Sequence, residues 1–201
     1  MKTGSIVAIV LVALLLIAGC GGCAKYNSLV GQDENVKKAW SNVEASYQRR
    51  MDLYDNVVST IKGSANFEQS TLTKVVEARA SATQVKIDAE NLTPEKLQQF
   101  QAAQSQLSSS FGRLLAVAEN YPDLKTTKAF QDFQAQIEGT ENRINVARRD
   151  FNDAVQTYNQ SVRYFPGNIV AGLAGFHPKA GFTAQEGADK APKIDFGDSS
   201  K

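Results

Sequence analysis

The sequence predicts an all-α protein: an elongated antiparallel three-helix bundle of coiled-coil type, with an N-terminal membrane anchor or signal and an irregular C-terminal tail. Three observations predict it. Between Gln32 and Phe165 only three glycines (Gly63, Gly112, Gly139) and two prolines (Pro94, Pro122) interrupt the chain. The same stretch repeats apolar residues at alternating spacings of four and three, the heptad pattern of helix-on-helix packing. The composition is globular, 42% hydrophobic and 21% charged over 201 residues, which is chain enough to bury a core.

The first element is an address. Lys2 gives a positive start, and Ile6 to Ala18 is an unbroken run of small and apolar residues, the length of a signal-peptide core. It ends in Leu16-Ile17-Ala18-Gly19-Cys20, which has the form of a bacterial lipobox, so residues 1–19 read as a lipoprotein signal, Cys20 as the lipidation site and residues 20–27 as a linker. The other reading counts every uncharged residue from Thr3 to Ala24; at about 1.5 Å per residue that stretch crosses a hydrocarbon layer of about 30 Å as an uncleaved helix. Either way the chain is held at a membrane. The two cysteines, Cys20 and Cys23, both lie here, so the body has no disulfide and stands on packing alone.

The body, residues 28–165, divides at its prolines. Pro94 after Thr93 reads as an N-cap followed by proline at the first helical position, and Tyr121-Pro122-Asp123 stops the helix before it. Helices are therefore expected near 28–89 (A), 94–120 (B) and 126–165 (C). The seam of A runs Val36, Trp40, Val43, Tyr47, Arg50, Tyr54, Val57, Ile61. That of B runs Leu97, Phe100, Gln104, Leu107, Phe111, Leu114, Ala118, Tyr121. Helix C repeats Phe130, Ile137, Ile144, Phe151, Tyr158 and Phe165 every seventh residue, with Gln134, Glu141, Arg148, Val155 and Val162 on the alternate row. Short connections between three such seams give an up-down-up bundle.

Residues 166–201 change character: six of the 14 glycines and three of the five prolines fall there, so this is a tail. Its scattered Ile169, Val170, Leu173, Phe176, Phe182 and Phe196 need an apolar surface to lie on. A length mismatch offers one. Helix A reaches about 90 Å against about 40 Å for B, which leaves the seam of A around Val36, Trp40, Val43 and Tyr47 without a helical partner. The tail running back along A, or association with identical chains or another protein through this row, would cover it.

Further residues resemble a known family. Tyr26 to Val30, Val36 to Trp40, Arg50-x-Asp52-Leu53 with Asn56 and Val58, Lys62-Gly63, Glu68 and Glu77-Ala78-Arg79 are similar to the first long helix of LemA family proteins. Tyr121 to Lys125, Glu138 to Ile144 with Arg148-Arg149, Phe151-Asn152, Tyr158-Asn159, Arg163-x-Phe165-Pro166 and Gly175-Phe176 continue the likeness over nearly the whole chain. The resemblance implies a membrane-tethered, elongated helical bundle of the bacterial envelope with no settled biochemical activity and no agreed catalytic residues. This chain departs from the family pattern at Asp55, where proline is usual, at Ser64, usually aromatic, and at Phe67, usually histidine. Without the proline, helix A is expected to be straighter.

The chemistry on offer is sparse. With one histidine, His177, and no cysteine in the body, Ser-His-Asp, Cys-His and multi-histidine metal sites have no residues to use, and no helix carries the Glu-x-x-His of a di-metal bundle. Ser59-Thr60-Ile61-Lys62 has a Ser-x-x-Lys spacing without its companion elements. A balance of 22 basic and 21 acidic residues leaves a net charge of +1, so no field draws nucleic acid, and the Arg49-Arg50 and Arg148-Arg149 pairs are offset by Asp52 and Asp150. Arg50, Glu141 and Arg148 sit on the seams and are expected to pair as a buried polar layer that fixes register, because an unpaired buried charge costs several kcal/mol. The expectation is a non-enzymatic structural, scaffolding or protein-interaction protein, with no cofactor and no small-molecule substrate, anchored in the bacterial envelope through lipidated Cys20 and facing away from the cytoplasm. An accessory subunit or enzyme with a site between bundle and tail is the alternative.

Overall fold

In the computed structural model, which describes residues 3–62, 68–125 and 127–183, one helix is both the apolar N-terminal segment and the first helix of the body. Helix α1 (Thr3–Lys62) is 60 residues long, about 90 Å at 1.5 Å per residue. Its N-terminal stretch is long and apolar enough to cross a membrane, and none of that stretch is buried. From Leu29 onward the same helix enters the core. The chain continues through α2 (Gln69–Gln84), α3 (Pro94–Ala118), α4 (Pro122–Lys125), α5 (Lys128–Arg163) and α6 (Gly167–Ala174).

The fold class is as expected, all helical, elongated and antiparallel, but helix A is two helices. α1 runs unbroken past Asp55 and stops at Lys62, and α2 starts at Gln69. A continuous helix over 28–89 would leave Leu72, Val75, Ala78 and Ala82 without a partner. Folding back buries all four. Thr83 on α2 lies against Met51 on α1, and Arg79 forms an ion pair with Asp55, so α2 descends along α1. Tyr47 meets Phe100 and Tyr54 meets Phe111, so α3 ascends beside it. Trp40 meets Phe151 and Arg50 meets Glu141, so α5 descends. The result is an up-down-up-down four-helix bundle. Lys62 followed by Gly63, a basic last turn and a glycine, is a stop signal legible in the sequence. Gly63, Ser64 and Phe67 themselves lie outside the described residues, as does Phe196.

Local chemistry sets the other boundaries where expected. Thr93 caps α3 by accepting from the Lys96 amide at 3.4 Å, with Pro94 at the first helical position. Thr127 caps α5 by accepting from the Phe130 amide at 3.3 Å. All eight seam residues of A are buried, as are those of B from Leu97 to Ala118. The seam of C is buried at Phe130, Ile144, Phe151 and Tyr158, but it ends one repeat early: α5 stops at Arg163, and Phe165, expected on the seam, is 80% exposed.

The buried apolar residues form two clusters stacked along the rod. The distal one is built by all four helices, from Leu53, Tyr54, Val57 and Ile61 of α1 with Leu72 and Val75 of α2, Leu107, Phe111 and Leu114 of α3 and Phe130 and Phe133 of α5. The basal one, nearer the apolar segment, joins Leu29 to Tyr47 of α1 to Ile144 to Val162 of α5, and is closed by Ile87, Leu92 and Phe182 from outside the helices. Arg50 lies at the level between them.

Candidate functional site

The C-terminal tail folds back over the basal end of the bundle and is held there by two asparagines. Gly175, with φ +77°, ends α6 in a left-handed turn that glycine adopts at no steric cost. Residues 176–183 then run along α5 without secondary structure. Asn159 donates through Nδ2 to the Lys179 carbonyl at 2.8 Å and accepts from the Lys179 amide at 2.8 Å. Asn152, seven residues and two turns away on the same face, does the same for Phe182, at 3.0 and 2.8 Å. Each amide thus satisfies both backbone groups of one strap residue, which an irregular segment cannot do for itself. Tyr158 Oη donates to the His177 carbonyl at 3.0 Å, and the Ala180 amide donates to the Leu92 carbonyl at 3.3 Å.

This strap fills the gap that the seam of α1 leaves. The Phe182 ring is 6.0 Å from Trp40 and 5.5 Å from Phe151, and Trp40 also meets Phe100 at 5.6 Å. Val36, Trp40, Val43 and Tyr47 are consequently 0, 1, 0 and 4% exposed. Of the covers expected for this row, the chain's own tail is the one present, together with α3 and α5, and the alternative of an interface for a second copy or a partner at Val36, Trp40, Val43 and Tyr47 is corrected. The apolar surface the tail needed, for Phe182, is this row.

Beside the strap lies a charged cavity of about 380 Å³, lined by Asp33, Lys37, Glu90, Tyr158, His177 and Lys179 among others. Lys179 bonds Asp33 Oδ1 at 2.8 Å and the Ala89 carbonyl at 3.2 Å, with its ammonium 5.6 Å from the centre of the Tyr158 ring. Lys37 bonds Glu34, Glu90 and Asp33 at 3.1, 3.3 and 3.3 Å, and these carboxylates hold its ammonium charged well above the ordinary lysine range. Burial, reinforced by the Asp33 charge, pushes the Tyr158 hydroxyl up to about 12. Asp33 seats the tail through Lys179, and Lys37 ties Asp33 and Glu34 of α1 to Glu90 of the loop before α3. His177 contributes its backbone carbonyl.

The polar residues expected on the seams separate. Arg50, 4% exposed, bonds Glu141 Oε1 through Nη1 at 3.1 Å and bonds the Gln104 side chain through Nη2, with the Tyr47 ring 4.8 Å from its guanidinium. Arg148 is half-buried and stacks its guanidinium on Phe182 at 4.6 Å, outside the Arg50–Glu141 pair. Gln104, Asn152, Asn159 and Lys179 are the site residues that sequence reasoning missed. Asn152 and Asn159 carried a legible signal, because each follows an aromatic of the α5 heptad row. Ser59 of the Ser-x-x-Lys spacing donates to the Asp55 carbonyl one turn back at 2.8 Å, as a helical serine does, and Cys20 and Cys23 are exposed on α1.

The fold and its latch define a class of protein: a four-helix bundle grown on an apolar N-terminal helix and closed by its own tail. A family model described as LemA family matches residues 39–196, and the chain belongs to the LemA family. It is similar to Protein LemA of Metamycoplasma hominis, 29% identical over 160 residues, covering 80% of this chain and 69% of that protein. It is also similar to Magnetosome protein MamQ 2 of Paramagnetospirillum magneticum, 26% identical over 187 residues, covering 85% of this chain and 68% of that one. Magnetosome protein MamQ of Magnetospirillum gryphiswaldense is 25% identical over 169 residues, covering 76% and 62%.

Proposed function

We propose that the chain is a membrane-anchored spacer of the bacterial envelope, a scaffolding or protein-interaction protein with no reaction of its own. The observation that carries this reading is the continuity of α1. α1 runs unbroken into the core from Cys20 as well as from the apolar segment before it, so with the helix uncleaved the bundle cannot turn independently of its anchor without breaking α1. The distal end of α1 stands about 55 Å beyond Lys25. Two of the relatives are named for a structure, the magnetosome, and not for a reaction. The anchor is lipidated Cys20, or else the uncleaved helix, and the body faces away from the cytoplasm. Cys20→Ala is expected to leave an unprocessed precursor; unchanged mass and processing would favour the uncleaved helix.

Partners, or second copies, dock on the outer surface of the rod, since the row from Val36 to Tyr47 is filled. Crosslinking in intact cells, purification through a C-terminal tag and mass spectrometry of the linked peptides test this. Links to one dominant foreign protein make the chain an adaptor, and links only between copies make it a self-assembling element. A chain that crosslinks to nothing contradicts the reading. The second reading, a site between bundle and tail, has the 380 Å³ cavity in its favour. A small-molecule thermal-shift hit abolished by Asp33→Asn would support it.

A further inference from the structure

Helix α6 has two apolar faces, and the chain covers one. Gly167 and Ala171 are buried where α6 packs on α1 and α5. On the other side Ile169 and Leu173, one turn apart, are 53 and 86% exposed, and Tyr164 and Phe165, just before the helix, are exposed as well. The helix itself, GNIVAGLA, contains no charge. A surface helix facing water usually carries charged or polar residues on that side, whereas α6 offers only Asn168 there beside Ile169 and Leu173.

Its position says what that side meets. Pro166, Ile169 and Val170 form an apolar groove of about 680 Å³ with Gly21, Gly22, Ala24, Lys25 and Ser28 of α1. Tyr26 meets Phe176, just beyond α6, at 5.9 Å. Lys25 is the first charge after the uncharged run from Thr3 to Ala24. α6 is therefore level with the point where α1 leaves its apolar stretch. Tyr26, Tyr164 and Phe165, with Lys25 and Arg163, give this level the aromatic and basic composition of a membrane–water interface. Lipidated Cys20 and an uncleaved helix ending its uncharged run at Ala24 place the bilayer surface within about 7 Å of each other along α1.

We infer that α6, with Tyr164 and Phe165, is a second membrane contact, seated in the headgroup–acyl boundary of the bilayer that holds α1. The inference rests on the membrane-anchored reading above. An anchor at one point leaves a rod free to tilt. A second contact beside it sets the angle of the rod to the membrane and keeps the latched base against the lipid.

The test uses the full chain in phosphatidylethanolamine–phosphatidylglycerol vesicles whose acyl chains carry bromine, a contact quencher of indole. Phe165→Trp places a probe just before α6 and Leu173→Trp one on it, and Val146→Trp places one on the exposed side of α5. The native Trp40 is buried about 22 Å along α1 from Lys25 and serves as an unquenched reference. Flotation of the chain with the vesicles reads the anchor separately. The expected result is flotation, loss of the added emission at 165 and 173 to bromines about 5–10 Å below the headgroups, and no loss at 146. A chain that floats with both α6 probes unquenched overturns the second contact and leaves the anchor standing. Unquenched probes with crosslinks between two copies of α6 overturn it in favour of a dimer. A chain that does not float removes the anchored reading and the second contact together.

Discussion

The two halves of the rod bury similar cores by different means. The distal half is regular: four helices meet along heptad seams, and Tyr54 stacks on Phe111 with ring centres 3.8 Å apart. In the basal half α1, α5 and the first turns of α3, through Leu97 and Phe100, are completed by an irregular loop and a strap that side chains must hold in place. Arg50 divides them. Periodic packing propagates by itself along a helix. An irregular cover needs its own hydrogen-bond partners, and here two asparagines supply them.

The largest effect that would break this comparison comes from its aromatic centres. Trp40→Ala is expected to cost about 3–5 kcal/mol and to open residues 176–183 to proteolysis. Leu107→Ala in the distal core is expected to cost about 2–5 kcal/mol without releasing the strap. Chemical denaturation followed by limited proteolysis reads both, and a strap released equally by the two variants would mean the halves are one unit.

Next comes the boundary between the halves. Glu141→Ala leaves Arg50 buried with Gln104 as its main partner, at a cost of about 1–2 kcal/mol given that the Glu141 side chain is 38% exposed. Arg50→Met removes the charge that needs pairing and is expected to cost less, as judged by urea midpoints. The reverse order would show that the ion pair, and not the burial of an unpaired charge, dominates this layer.

Alkaline titration distinguishes the halves through one tyrosine in each. Burial holds the Tyr54 and Tyr158 hydroxyls protonated up to about 12, against an ordinary 10.0. A group that holds its proton more tightly when folded contributes stability that is complete below pH 10 and is lost as pH rises toward about 12. Tyr158→Phe should flatten the basal part of that loss and Tyr54→Phe the distal part, measured by denaturation between those pH values. The smallest effect is at the surface. Asp55→Asn breaks the half-exposed pair with Arg79 and should change stability by less than about 1 kcal/mol, with less effect still in high salt.

Much of the distal half was legible in the sequence because heptad spacing and burial are the same information there. The cap at Thr93 and every seam residue of α1 follow from spacing and side-chain chemistry. The break after Lys62 was missed because prolines alone were read as helix breaks there, while Lys62-Gly63 argues to stop and the apolar row of α2 gains more by folding back. The basal latch was less legible. That the tail needs an apolar surface follows from its composition, but its partners do not, since the pairing of Asn152 and Asn159 with Phe182 and Lys179 joins residues across a chain reversal that no periodicity encodes. Gln104 was placed on its seam, and only the approach of α3 to α1 gave it Arg50 as a partner.

The claim that the strap completes the basal core is tested most directly by native-state hydrogen exchange on the chain with Asn152→Ala and Asn159→Ala together. Each substitution removes two hydrogen bonds to the strap, about 1–3 kcal/mol apiece. The account predicts faster exchange at α1 residues 36–47 and α5 residues 144–162, with α1 residues 53–61 and α3 residues 107–118 unchanged. Uniform loss of protection along the whole rod, or none at its base, would contradict it.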